Sequence, residues 1–157
     1  MGLGRDLFKE WPCQLRINKY SFAPETVGSS GVQFHTDSGF LTILQDEENV
    51  GGLEVMDKTT GAYVPVDPMP GSLLVNLGDV ATGSHTFSHL GVEQWKILQK
   101  QEYNAWKEQY AFQSLLFMLG PKQAAVEAPP ELVDDEHPRL YVPITFEEYR
   151  KLGFPLV

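Results

Sequence analysis

His35 and Asp37 stand two residues apart in "GVQFHTDSGFLTILQ" (31–45). In extended chain, residues i and i+2 share a face. On a β-strand this imidazole and carboxylate would therefore project together, with Phe34 and Thr36 on the opposite side. A neutral imidazole nitrogen and a carboxylate oxygen are two thirds of the facial set that holds non-haem Fe(II). A second imidazole completes that set and leaves three positions for small ligands. His-x-Asp is also short enough to arise on a strand that holds no metal, so the spacing alone leaves both readings open.

The surrounding segments read as short strands punctuated by turns. "QLRINKYSF" (14–22) is closed by Pro24 and the "GSSG" at 28–31. After the His-x-Asp stretch come the acidic turn "DEENVGG" (46–52), "LEVMD" (53–57), the turn "KTTG" (58–61) and "AYVPV" (62–66). The turn "DPMPG" (67–71) leads into "SLLVNL" (72–77), which ends at Gly78-Asp79. Strands this short and regular, with no helices between them, indicate an antiparallel sandwich or barrel.

Toward the C-terminus, "AAVEAPPELVDDEHPRLYVP" (124–143) is Pro-rich and acidic and reads as an extended arm. "TFEEYRKLG" (145–153) reads as a short helix, with Thr145 as N-cap, Glu148 completing a capping box and Gly153 as the stop. The stretch 83–117 is Gln- and Lys-rich. Its Trp95, Leu98, Trp106, Tyr110 and Gln113 are spaced more like a helix than a strand. Local preference there conflicts with the sheet that the first half implies.

The 157 residues are one domain's worth of chain, and the 42% apolar share is ordinary for a soluble protein. A formal charge of −9 argues against a nucleic-acid partner, whose phosphates need a basic surface. No apolar run approaches a membrane span, and the N-terminus has no apolar stretch of signal-peptide type. The single cysteine, Cys13, excludes an internal disulfide framework and suits a reducing compartment, so a cytoplasmic location is expected.

"HTDSGFLTILQDEENVGGLEV", "YVPVDPMPGSLLVNLGD" and "RINKY" together resemble the plant 2-oxoglutarate- and Fe(II)-dependent dioxygenases, most closely the auxin-oxidising branch. The resemblance runs over residues 8–82, returns at "FMLGPK" (117–122) and continues through "EAPPELVDDEHPRLYVPITFEEYRKL". It implies a mainly β fold, a double-stranded β-helix of jelly-roll or cupin-like type, here incomplete, with a short C-terminal helix. Within it, 1–13 would be the remnant of an N-terminal region and 14–122 the dioxygenase core, atypical over 83–116. Residues 123–157 would form a C-terminal arm and helix. Family members carry a largely helical region ahead of "RINKY", and its loss would expose the outer face of the barrel.

The same resemblance makes His35 and Asp37 iron ligands. Tyr20, with Asn18 beside it, would help hold 2-oxoglutarate, although Tyr20 equally suits a core aromatic with a satisfied hydroxyl. The implied reaction consumes dioxygen, converts 2-oxoglutarate to succinate and carbon dioxide, and oxidises a small organic acid. In the auxin branch that acid is indole-3-acetic acid.

Two family features are missing from 83–117: a distal His in a "W-S-N-G-R…H-R-V" stretch, and an Arg-x-Ser pair whose guanidinium forks onto the far carboxylate of 2-oxoglutarate. That stretch contains no arginine. Lys96, Lys100 and Lys107 are cations there, but an ammonium does not reproduce a guanidinium fork.

Back-translating "VEQWK" (92–96) and reading one base later permits Trp, Asn/Ser, Asn/Ser, Gly, Lys/Arg. Reading "QYAFQSLLF" (109–117) two bases later permits Ile-Arg-Ile-Ser-Ile-Ala-Thr-Phe. The expectation is that residues from about 83 to 116 are translated out of the family's frame. His89, 54 residues after His35, and His85 remain as substitutes for the third ligand, with an exposed loop histidine the favoured reading of each. His137 reads as structural. Two other readings stay open: a catalytically inactive fragment acting as a binding module, and a cupin-like small-molecule binder without iron.

Overall fold

A computed structural model of the chain describes residues 8–21, 25, 28–47, 51–83, 97–100, 110–128, 130, 133–136, 138–139 and 142–152, with backbone alone at 83, 97–100 and 110–111. The elements run β1 (Cys13–Ser21), β2 (Ser30–His35), β3 (Leu41–Asp46), β4 (Leu53–Met56), β5 (Tyr63–Pro65), β6 (Leu74–Leu77) and α1 (Asp79–Gly83). They continue with β7 (Ile97–Lys100), β8 (Tyr110–Met118), β9 (Ala125–Val126), β10 (Ile144–Thr145) and α2 (Phe146–Lys151). Among the described residues no helix is long and apolar enough to cross a membrane.

Eight of the strands form two antiparallel four-stranded sheets, ordered β1-β8-β3-β6 and β2-β7-β4-β5. Consecutive strands from β1 to β4 alternate between the sheets, and the return strands β5 to β8 insert beside them. That interleaving is a jelly roll.

The segment expected to be atypical supplies two of these strands. Leu98, Tyr110 and Gln113 lie on β7 and β8, so their helix-like spacing does not produce a helix. Backbone pairing with β2 and β4 on one side, and with β1 and β3 on the other, overrides the weak local preference. β7 is short, four residues against nine in β8. Trp95 and Trp106 fall outside the described residues.

Alternation along the first sheet sorts its residues cleanly. Thr42, Leu44, Asn76, Gln113 and Leu115 are buried on the inner face. On the outer face, Leu15 pairs with Leu116, Leu116 with Ile43, and Ile43 with Val75, an aliphatic row across all four strands. Leu15, Val75 and Leu116 in this row are exposed at 67%, 49% and 38%. Among the described residues, the outer face of this sheet is thus open.

One core cluster, Leu44, Leu53 and Leu115, lies between the sheets, with Val55, Val66, Leu74 and Phe117 around it. A second gathers Phe40, Val80, Ala81 and Phe146, with Trp11 stacked edge-on at 5.0 Å from Phe40. At the start of the acidic arm, β9 pairs with β10 in a two-residue antiparallel ladder. Helix α2 then starts as its residues dictate. The Thr145 side chain accepts from the Glu148 N–H, and the Glu148 carboxylate accepts from the Thr145 N–H. Gly153 lies outside the described residues.

Candidate metal centre

Strand β2 ends at His35, so Asp37 sits in the loop that follows and not on the strand itself. The loop nevertheless brings the two side chains together, with His35 Nε2 3.7 Å from Asp37 Oδ1. Two metal–ligand bonds of about 2.1 Å span more than that gap, so one ion can touch both atoms.

The orientation of each group has a cause. The His35 Nδ1 lies 2.8 Å from the Gln33 carbonyl oxygen. A carbonyl only accepts, so in the neutral ring the proton belongs on Nδ1 and the lone pair on Nε2, toward Asp37. Asp37 is buried at 6% exposure. Its Oδ2 accepts from Thr42 Oγ1 at 2.6 Å and from Asn76 Nδ2 at 2.9 Å. Both donors fall on one oxygen, which leaves Oδ1 to face the imidazole. Support of this kind fixes ligand orientation in metal sites.

The loop carrying Asp37 is held from below. Asp79 N–H donates to the Asp37 carbonyl at 2.7 Å, Val80 N–H to Gly39 O at 3.1 Å, and Gly78 N–H to Phe40 O at 3.0 Å. A side chain at Gly78 would place its Cβ 2.1 Å from Gly39 O, so only glycine allows this approach. The Asp79 carboxylate accepts from Tyr149 on α2 and from Thr36. Burial raises the Asp79 pKa, and the Tyr149 hydrogen bond opposes the rise. Burial, and then the same bond to Asp79, raise that of Tyr149.

His35 and Asp37 open onto a cavity of about 640 Å³ between the sheets, whose apolar wall includes Leu44, Leu53, Leu115 and Phe117. Asn18 and Tyr20 line its far side on β1, beside Gln113 of β8. Asn18 Nδ2 donates to the Tyr20 hydroxyl at 3.1 Å and to Gln113 Oε1 at 3.4 Å. The Tyr20 hydroxyl donates to Gln113 Oε1 at 3.2 Å, and Gln113 Nε2 donates to Asp46 Oδ1 at 2.8 Å. Burial raises the pKa of Tyr20, opposed by its bond to Asn18, and of Asp46, opposed by its bond to Gln113.

Two of the three iron ligands named from the sequence are therefore together, and Asn18 and Tyr20 share their cavity. His89, like His85 and His137, lies outside the described residues, and among the described residues no cluster of three metal-binding side chains occurs. Thr42, Asn76, Gln113 and Asp46 were not read from the sequence as site residues. Thr42 and Asn76 did carry a signal, as the polar positions inside "FLTIL" and "LLVNL".

Residues 11–92 match the 2OG-Fe(II) oxygenase superfamily. The chain belongs to that family. Over 153 residues it is 46% identical to the 2-oxoglutarate-dependent dioxygenase DAO of Oryza sativa subsp. japonica, covering 97% of this chain and 48% of the relative. The crystal structure of the rice dioxygenase for auxin oxidation superposes with a TM-score of 0.83 at 46% identity, over 92% of this chain and 47% of that one. Dioxygenase for auxin oxidation 1 of Arabidopsis thaliana, solved with 2-oxoglutarate, gives 0.69 at 51% identity, over 85% of this chain and 48% of that one. The chain thus spans about half the length of these relatives. The family's cofactors are Fe(II) and 2-oxoglutarate, with dioxygen as the oxidant.

The donor set fits the metal as far as it extends. An imidazole lone pair and a carboxylate oxygen converge on the cavity, and each is fixed by a bond at its other atom. The far end fits 2-oxoglutarate less well. Hydroxyl and amide groups are present there, but they are bonded to one another and backed by a carboxylate.

Proposed function

We propose that the chain is a 2-oxoglutarate- and Fe(II)-dependent dioxygenase that oxidises a small organic acid such as indole-3-acetic acid in the cytoplasm. The observation that carries this reading is the division of labour on Asp37. Thr42 and Asn76 take Oδ2, so that Oδ1 and His35 Nε2 are left facing the same cavity. The auxin-oxidising relatives support the substrate class.

His35 and Asp37 would hold the metal, with His89 as third ligand on the sequence reading. When bound, iron with 2-oxoglutarate and dioxygen supplies the oxidation, one oxygen atom passing to succinate and the other to the substrate. Leu44, Leu53, Leu115 and Phe117 give an apolar wall against which an aromatic ring packs and from which water is excluded. Asn18 and Tyr20 would orient the 2-oxo acid.

A second reading, an inactive jelly roll that only binds small molecules, is favoured by the Asn18–Tyr20–Gln113–Asp46 network, which brings no cation to the far end. Anaerobic titration with Fe(II) and 2-oxoglutarate separates the two. The dioxygenase reading expects the weak visible band of a chelated 2-oxo acid, lost in His35→Ala and in His89→Ala, and release of carbon dioxide on admitting oxygen. A folded chain with no band and no decarboxylation would establish the binding-module reading.

A further inference from the structure

We infer that a second, smaller cavity beside Asp46 binds a small primary amine as its ammonium ion; the site is separate from the metal centre and goes beyond the dioxygenase reading. The cavity has a volume of about 220 Å³ and shares Leu44 and Leu53 with the larger one as a common wall. Asp46 follows Thr42 and Leu44 as the next inward residue of β3. Gln113 borders the first cavity and Asp46 the second, so the 2.8 Å bond from Gln113 Nε2 to Asp46 Oδ1 crosses the partition between them.

That bond commits one oxygen of Asp46 and orients the carboxylate. Among the described residues the other oxygen, Oδ2, accepts no hydrogen bond, and the carboxylate has no ion-pair partner. Burial raises the Asp46 pKa in spite of the Gln113 bond, as expected for a half-buried anion without a counter-ion. Charges withdrawn from water are normally paired. Asp46 borders the second cavity and not the first, so the missing partner is approached from the second.

The rest of the lining narrows what that partner is. Val66 and Leu74 pack on the buried Leu44 and Leu53 to form an apolar floor, and the exposed Met69 and Leu73 form the rim. Ser72 donates to the Met69 carbonyl through its hydroxyl at 2.6 Å and through its N–H at 3.0 Å, which fixes the turn at the rim and uses the hydroxyl proton. Asp67, exposed, adds a second negative charge, and among the described residues no basic side chain lines the cavity.

An anion is repelled by both carboxylates. A neutral alcohol leaves Asp46 without a counter-ion. A metal ion gains nothing from a leucine floor, and among the described residues no third ligand stands by. An ammonium group on a short apolar body satisfies both halves of the site, its N–H groups on Oδ2 and its carbon chain on the floor. Drug-sized ligands take roughly 300–1,000 Å³, so the occupant is smaller than these.

Titration of the full chain with n-butylammonium chloride and, separately, n-butanol tests the assignment, followed by backbone amide NMR with sodium chloride at equal ionic strength as the blank. The ammonium should shift the Leu53, Val66 and Leu74 signals saturably, and the alcohol should bind about tenfold or more weakly. Asp46→Asn keeps an acceptor for Gln113 and should cost about tenfold or more in ammonium affinity, whereas Asp67→Asn should cost about threefold or less. The ammonium should also raise the melting temperature of the parent chain and not that of Asp46→Asn.

Equal affinity for the two probes would reduce the site to an apolar pocket and overturn the inference. So would the absence of saturable shifts at these residues, or unchanged ammonium affinity in a folded Asp46→Asn. The comparison of the two probes on the parent chain needs no variant, so it decides the matter even where Asp46→Asn does not fold.

Discussion

At the β2 end of the cavity, Asp37 commits one oxygen to Thr42 and Asn76 and keeps the other toward His35 Nε2. At the β1–β8 end, Asn18, Tyr20, Gln113 and Asp46 donate to and accept from one another. Both ends are polar clusters set among leucines; the first joins β3 and β6 of the first sheet to β2 and the loop after it, whereas the second draws on β1, β3 and β8 of the first sheet alone. They differ in where the unshared lone pairs point. The supported ligands face open space and are ready for a cation without rearrangement. The network has satisfied itself, so a ligand arriving there must first break protein–protein bonds. Readiness for a ligand thus depends less on which polar residues line a cavity than on which of their atoms the protein leaves unused.

Removing a support at the metal end should break this contrast most severely. Thr42 is 1% exposed, and Thr42→Val keeps its shape while deleting the donor to Asp37 Oδ2. Mn(II) affinity should fall by about 10- to 100-fold, and the unfolding free energy by about 1–3 kcal/mol. Calorimetry and urea denaturation read the two effects. Unchanged affinity would show that Asn76 alone positions the carboxylate.

Tyr149→Phe acts one step further away, through Asp79 and its N–H to the Asp37 carbonyl. Here Mn(II) affinity should drop by about fivefold or less, because a backbone contact shifts the loop without freeing the ligand. The melting temperature should also fall by a few degrees, since Asp79 is left with a weaker set of donors. A variant that loses stability but no affinity would confine Tyr149 to fastening α2 onto the sheet.

The same contrast explains what the sequence made legible. Strands β1, β3 and β6 declare themselves as short runs between turn signals, the turns by Gly61 and Gly71 at φ +70°, and α2 by its capping box. His35 and Asp37 were visible as a pair because they are neighbours in sequence. Their supports were not, since Asn76 reaches Asp37 across 39 residues and only strand pairing brings them together. β7 was hidden for the opposite reason. "ILQK" has no strand pattern of its own and is made a strand by β2 and β4 on either side. Whether 83–116 carries the family's frame is open to a direct check. Sequencing the transcript should reveal an alternative frame encoding the Trp-Ser-Asn-Gly-Arg and Arg-x-Ser stretches, and its absence would refute the frame reading.

The smallest expected effect lies at the self-satisfied end, and its sign follows from Asp46. Burial raises this carboxyl above its ordinary range despite the bond from Gln113 Nε2, so the folded chain holds the proton more tightly than the unfolded one does. Between the ordinary carboxylate range and the raised value the folded state binds more protons. Stability therefore declines as pH rises through that interval, and the penalty persists at neutral pH. Asp46→Asn keeps an acceptor for Gln113 and removes the ionisation. It should raise the melting temperature by a few degrees at pH 7 and by less at pH 4, where the parent carboxyl is already partly protonated. An equal gain at both pH values would trace the effect to packing. A loss at pH 7 would mean that the charged hydrogen bond outweighs desolvation, and that the far end is held together by its anion instead of merely tolerating it.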